Sequence, residues 1–237
     1  MYSFVLKRSD WREQDQVVTL YTLEQGKVDA LARGVKKILS KNSAFLEPVF
    51  LIDAEIVLGK EIHHLIKAVP ILVYKNILED INKMSLLQTV FKWVNILTKY
   101  EREPKIFLLI KSWLEFLNTT NQPQTVLAYG FLGNILTHLG FAPELSNCVS
   151  CQNKNNLVAF YPAGGGVVCK NCFSLKRQAY AKVYPLRAID LQAMRLLFTN
   201  NWQKILVHNT EIANRLVFLY GQYHSERKLA KIKFLKS

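Results

Sequence analysis

Val17-Val18-Thr19-Leu20-Tyr21-Thr22-Leu23, followed by Glu24-Gln25-Gly26-Lys27 and then by Val28-Asp29-Ala30-Leu31-Ala32-Arg33, reads as a β-hairpin. The first run is rich in β-branched and aromatic residues, and Gly26 can take the positive φ that a tight turn needs. Val28, Ala30 and Ala32 then alternate with Asp29, Leu31 and Arg33, the period of a strand with one buried face. Upstream, Tyr2 to Leu6 is a further strand. Downstream, Phe50, Ile52, Ala54, Ile56 and Leu58 alternate with Asp53 and Glu55, and Ile62, His64, Ile66 and Ala68 repeat the pattern before Pro70 is expected to stop it. About five short strands in roughly 70 residues suit a small closed barrel, which removes exposed sheet edges; the OB-fold is the five-stranded version of this solution.

Beyond Pro70 the period becomes helical. Ile77, Ile81, Met84, Leu87, Phe91, Val94 and Thr98 fall at three- and four-residue steps, as do Ile106, Leu109, Ile110, Trp113 and Leu117. Thr125 to Leu139 is apolar nearly all round and predicts a buried helix stopped by Gly140 and Pro143. Leu186 to Phe198 and Asn209 to about Tyr223 predict two more, the last with Asn209 as its N-cap. The expected class is therefore α+β: an OB-fold domain over 1–72, then a helical domain over 73–237 with a cysteine module at about 145–180. The 237 residues are half hydrophobic and 21% charged, with ten Gly and seven Pro, which excludes disordered and collagen-like chains. Apolar runs such as Ile106 to Ile110 fall far short of the roughly 20 residues a membrane helix needs. The N-terminus lacks the pattern of a secretory signal, so a cytoplasmic location is expected.

Cys148-Val149-Ser150-Cys151 and Cys169-Lys170-Asn171-Cys172 contain all four cysteines, as two C-x2-C pairs separated by seventeen residues. This is the spacing of a tetrahedral zinc site, and four thiolates would close the shell of one structural ion. Redox-active, disulfide-bonded or metal-free cysteines are the alternatives. Ala163-Gly164-Gly165-Gly166 lacks the Gly-Lys-Ser/Thr ending of a phosphate loop and reads as a tight turn returning the second pair to the first. Asp53 and Glu55 share a strand face, which a divalent ion could use, but simple alternation accounts for them as the solvent side. No catalytic set is visible as a local motif, so an enzyme is not favoured.

Net charge is +13, and the last 90 residues hold +11 of it; between residues 148 and 182 there is no Asp or Glu. Such a balance favours polyanion partners. Arg33, Lys36, Lys37 and Lys41 surround Gly34 after the third strand and suit phosphates. Lys176, Arg177, Arg227 and Lys228 are further DNA-binding candidates in the basic C-terminal third. Trp11, between the first two strands, and Phe45 either stack on bases or pack against the barrel.

Three groups of residues carry a resemblance. The first is Asp15-Gln16-Val17-Val18-Thr19-Leu20-Tyr21-Thr22 with Gly26-Lys27, Ala30-Leu31-Ala32-Arg33-Gly34-Val35-Lys36-Lys37 and Leu46-Glu47-Pro48. The second is Leu139-Gly140-Phe141-Ala142-Pro143-Glu144-Leu145 leading into Cys148 and Cys151, with Gly165-Gly166-Val167-Val168-Cys169. The third is the closing Lys231-Ile232-Lys233-Phe234-Leu235. Together, in order and over nearly the whole chain, they resemble the RecO family of DNA repair and recombination mediators. The resemblance implies a non-hydrolytic protein that binds single- and double-stranded DNA and anneals complementary strands. It also implies partnership with RecR and the single-stranded-DNA-binding protein, and through them loading of RecA, at a nucleoid-associated cytoplasmic location. Zinc is not universal in that family; the four cysteines here support it. One departure is Ile38-Leu39, which interrupts the basic loop. The other functional classes these residues allow are a metal-dependent nuclease using Asp53 and Glu55, and a zinc-stabilised transcription regulator.

Overall fold

The computed structural model describes residues 1–37, 40, 42–122, 124–175 and 182–225. It divides into two compact units, Met1–Pro123 and Gln124–Ser237. In the first, strands β1 (Tyr2–Asp10), β2 (Gln16–Thr22), β3 (Gly26–Ala32), β4 (Phe50–Val57) and β5 (His63–Val73) close a barrel in the order β1-β2-β3-β5-β4. All neighbours are antiparallel except β3 and β5, which run parallel through Ala30–His63 and Leu31–His64. This is the five-stranded OB-type barrel that the strand pattern implies. Its interior takes the inward-facing residues Val18 and Leu20, Ala30 and Ala32, Ile52 and Ala54, and Leu65 and Ala68, with Phe45 and Phe50 packed against them. Phe45 meets Phe50 edge-on at 5.9 Å, so of its two readings the packed one holds.

Pro70 does not end β5, contrary to the sequence expectation. It pairs with Ile52 of β4 beside a register shift, and β3 reaches only the opposite end of β5. A residue without an N–H is tolerated where a strand has a single neighbour.

Helices α1 (Lys75–Leu78), α2 (Ile81–Leu97) and α3 (Pro104–Thr119) follow. Asp80 caps α2 by accepting from the amides of Asn82 and Lys83, and Pro104 opens α3, where its missing N–H costs nothing. Both helices pack on the barrel through Phe4, whose ring lies 6.5 Å from Phe91 and 4.9 Å from Phe107. By packing, these three helices belong with the barrel, so the compact units part about fifty residues beyond the end of the strand-rich stretch.

The connection from α2 to α3 folds back on the β2–β3 turn. Lys27, buried although charged, donates from Nζ to the carbonyls of Asn95 (2.8 Å) and Thr98 (2.7 Å), at the end of α2 where helix carbonyls lack partners and the helix dipole is negative. Gly26 has φ +73°, and a Cβ there would lie 1.9 Å from the Glu101 carbonyl oxygen. Tyr21 donates its hydroxyl to the Glu103 carbonyl at 3.3 Å.

The second unit is built around α4 (Val126–His138), buried from Val126 to Leu136. It packs against α6 (Ala188–Leu197), α7 (Trp202–Val207) and α8 (Glu211–His224). Gly133 lets the Leu197 carbonyl approach to where a Cβ would be 2.2 Å from it. The N-cap of α8 is Thr210, whose hydroxyl accepts from Ala213 N, while the expected cap Asn209 instead accepts from the Asn214 side chain. Strands β6 (Leu157–Tyr161), β7 (Gly166–Cys169) and β8 (Tyr184–Pro185) form a small sheet ordered β7-β6-β8, with α5 (Lys170–Leu175) after β7. Among the described residues no helix is long and apolar enough to cross a membrane.

Lys27→Met keeps the buried stem but strands two carbonyls at the end of α2. It is expected to destabilise the chain by about 3 kcal/mol, read as a lowered urea midpoint at unchanged slope.

Candidate metal centre and nucleic-acid interface

The four cysteines converge. Cys148 and Cys151 lie on the loop before β6, Cys169 ends β7, and Cys172 stands in the first turn of α5; their sulfur atoms all lie within 4.8 Å of one another. Cys151 and Cys169 are 3.7 Å apart, close to the edge of about 3.8 Å that a tetrahedron with roughly 2.3 Å metal–sulfur bonds would have. All four are free thiols, and four soft donors at this spacing fit one divalent ion. The triple-glycine turn makes the approach possible. After Pro162–Gly164, Gly165 takes φ +77°, and Gly166 lies so close to Glu144 that a Cβ would be 2.3 Å from its carbonyl oxygen. Val167 then donates to Glu144 O, and Val149 to Val167 O, both at 2.9 Å, fastening the first cysteine loop alongside β7. Gln152, directly after Cys151, holds φ +62°, the left-handed conformation that lets the loop turn back.

The electrostatics of the cluster suit a cation. Burial opposes ionisation of Cys148, but backbone N–H groups of Cys169, Ser150 and Cys151 and the Cys151 thiol point at its sulfur and bring its pKa down to about 6. Cys172 is pushed the other way, to about 12, by its hydrogen bond to Cys151, by burial and by the charge on Cys148. Cys148 is thus the readily ionised thiol and Cys172 the resistant one, and a central divalent ion would favour the ionised form of its four ligands. Such a closed shell has no open position for water or substrate, so the ion would act as a cross-link. Cys148 and Cys169, both candidate ligands, are themselves buried in this small core beside Ala159 and Val168.

On the barrel, Arg33, Lys36 and Lys37 are exposed on the turn after β3. Asp15 ties that turn to the β1–β2 loop: its carboxylate accepts from Gly34 N at 2.7 Å, and its carbonyl accepts from Trp11 N at 3.1 Å. Lys36 N also donates to Gln14 O at 3.1 Å. Trp11 therefore sits beside the three basic residues, as an exposed side chain. The cations share this surface with acids. Lys36 Nζ lies 2.9 Å from Asp10, whose carboxyl is held below the usual range by hydrogen bonds from Gln16 and Lys36. Of the three, Arg33 and Lys37 have no ion pair among the described residues. Lys41, Lys176, Arg177, Arg227 and Lys228 lie outside the described residues.

Trp11 also forms one wall of a cleft of about 620 Å³, which Asp29 of β3, Glu61, Ile62, His63 and Tyr100 line from other sides. The β1–β2 and β4–β5 loops flank it, the position at which OB-folds hold oligonucleotides. Tyr100, from the α2–α3 connection, was invisible to sequence patterning: it reaches the barrel because Lys27 and Gly26 anchor that connection, and its hydroxyl donates to Asp29 Oδ2 at 2.7 Å. Asp53 and Glu55 face solvent on β4, with Asp53 2.7 Å from the Met1 nitrogen. They join no group of three or more metal-ligating side chains among the described residues.

A family model described as Recombination protein O C terminal matches residues 78–232, and one described as Recombination protein O N terminal matches residues 2–74. The chain belongs to the RecO family. Membership places it in DNA repair and recombination. Similar proteins include the DNA repair protein RecO of Frankia casuarinae, 27% identical over 241 residues and covering 98% of this chain and 96% of the relative. That of Thermoanaerobacter sp. (strain X514) is 26% identical over 204 residues, covering 86% and 81%. That of Dehalococcoides mccartyi is 28% identical over 222 residues, covering 90% and 84%.

Elemental analysis is expected to return one metal ion per chain, falling below half in Cys169→Ser. Cobalt substituted at the site should show the intense visible bands of tetrahedral thiolate ligation, which Cys169→Ser should weaken.

Proposed function

We propose that this RecO-family chain is a non-hydrolytic recombination mediator that binds single- and double-stranded DNA and anneals complementary strands. The observation that carries this reading is the closed OB-type barrel with Arg33, Lys36, Lys37 and Trp11 drawn onto one surface by Asp15. Cations on this turn hold phosphates, and those of the C-terminal third, with Lys41, Lys176, Arg177, Arg227 and Lys228 as candidates, hold a second strand. Neutralising both strands lowers the repulsion that keeps complementary bases apart, and base pairing supplies the driving force. Cys148, Cys151, Cys169 and Cys172 hold one structural zinc ion. With RecR, the protein helps load RecA onto DNA covered by the single-stranded-DNA-binding protein, whose acidic tail is a second candidate partner for the C-terminal basic surface. It acts in the cytoplasm, on the nucleoid.

The test is annealing of complementary oligonucleotides with and without the single-stranded-DNA-binding protein. Faster duplex formation with intact strands supports the mediator; magnesium-dependent degradation lost in Asp53→Ala would make the protein a nuclease instead, and a strong preference for one duplex sequence would make it a regulator. Replacing Lys36 and Lys37 together by Ala should lower the salt slope of single-strand binding by roughly 0.7 for each phosphate left without its cation. Asp10→Asn frees Lys36 from its partner and should raise affinity by about threefold at low ionic strength, an advantage that vanishes in high salt.

A further inference from the structure

The cleft beside Trp11 is chemically unlike the basic turn next to it. Among the described residues its charged lining consists of Lys27, Asp29 and Glu61. The one cation is committed, since Lys27 Nζ donates to two main-chain carbonyls and its residue is buried. The two acids remain able to accept. Asp29 takes one hydrogen bond on each carboxylate oxygen, from Thr19 (2.5 Å) and Tyr100 (2.7 Å), which leaves lone pairs on both; Glu61 is exposed with no ion pair among the described residues. His63 adds a ring nitrogen, Nδ1, that is shielded from water without a hydrogen-bond partner. Two large aromatic side chains, Trp11 and Tyr100, flank these groups with more than half of each exposed. Tyr100 takes the Lys27 ammonium on one ring face, 4.5 Å from its centroid, while the exposed ring of Trp11 forms another wall of the cleft.

Carboxylates repel phosphate, so this cleft is not where the backbone of a nucleic acid would lie. Acceptors in a cleft walled by an exposed aromatic ring suit a flat ring that carries N–H donors. We propose that the cleft is a base pocket: it takes one unpaired nucleobase of a DNA strand whose phosphates run over Arg33 and Lys37, and it prefers bases bearing an exocyclic amine. This rests on the single-strand-binding reading above and deepens it. Trp11 stands at the junction, its side chain in the cleft and its loop bonded through Asp15 to the basic turn. Cytosine presents its amine to Asp29 and Glu61, whereas uracil, of the same ring size, presents a carbonyl oxygen there. The volume, about 620 Å³, falls in the range of roughly 300–1,000 Å³ usual for ligand clefts.

The experiment is titration of the full chain with deoxycytidine and deoxyuridine homopolymers of equal length, in mildly alkaline buffer, followed by tryptophan fluorescence. Trp11 is exposed while Trp93, Trp113 and Trp202 are buried, so quenching by stacked bases reports on the cleft. Quenching by both strands is expected, with deoxycytidine bound about fivefold more tightly. Glu61→Gln, at an exposed loop position that should not disturb folding, is expected to halve that preference, and adding Asp29→Asn to abolish it. Trp11→Ala is expected to remove the quenching and weaken both strands about tenfold. Binding without quenching, or with equal affinity for both strands, would overturn the base pocket and leave single-strand binding intact. Absence of binding to either strand would overturn the DNA-binding reading itself.

Discussion

The ammonium group of Lys27 is closed off from solvent at the end of α2, where it answers two carbonyls that the helix cannot pair for itself. The helix end attracts the cation through both hydrogen bonding and its dipole, and the Tyr100 ring lies 4.5 Å away beneath the charge. Burying a lone cation would be costly; here the cost is offset by its hydrogen bonds to the Asn95 and Thr98 carbonyls. Because Lys27 belongs to the β2–β3 hairpin, the interaction holds the α2–α3 connection against the barrel. Gly26 permits this approach by offering no side chain to the Glu101 carbonyl. Tyr100 then reaches Asp29, and the cleft acquires a wall from outside the barrel.

A second fastening, at Asp15, sorts the charges on the same face. Its carboxylate and carbonyl bring the turn with Arg33, Lys36 and Lys37 against the loop with Trp11. The turn bonded to the Trp11 loop thus carries Arg33, Lys36 and Lys37, while the cleft that Trp11 lines carries the acceptors Asp29 and Glu61. A polyanion with flat rings along it offers the matching division: charge on its backbone, hydrogen-bonding edges and π-faces on its bases. The pairing of Lys36 with Asp10 tempers the positive side.

Local patterns made much of this readable. The β2–β3 hairpin, the alternation of β4 and the all-round apolar α4 each satisfy a periodicity that one buried face or full burial imposes. The cysteine spacing was legible because two thiols three residues apart, one such pair before β6 and one at the β7–α5 junction, have few ways to meet each other. Pro70 misled, since the cost of a proline depends on how many neighbours the strand has there. Asn209 misled because Thr210, one residue on, is an equally good cap. Tyr100 carries no local signal: its place depends on Lys27, more than seventy residues earlier. The partition of acids and bases around Trp11 is likewise a product of tertiary packing.

Among the described residues two pairs, Ala30–His63 and Leu31–His64, join β3 to β5, whereas every other seam of the barrel is longer. The cleft opens beside that seam, with Asp29 on one strand and His63 on the other. The β3–β5 seam is therefore the most thinly laced of the barrel, and parting it would cost fewer main-chain bonds than parting any other.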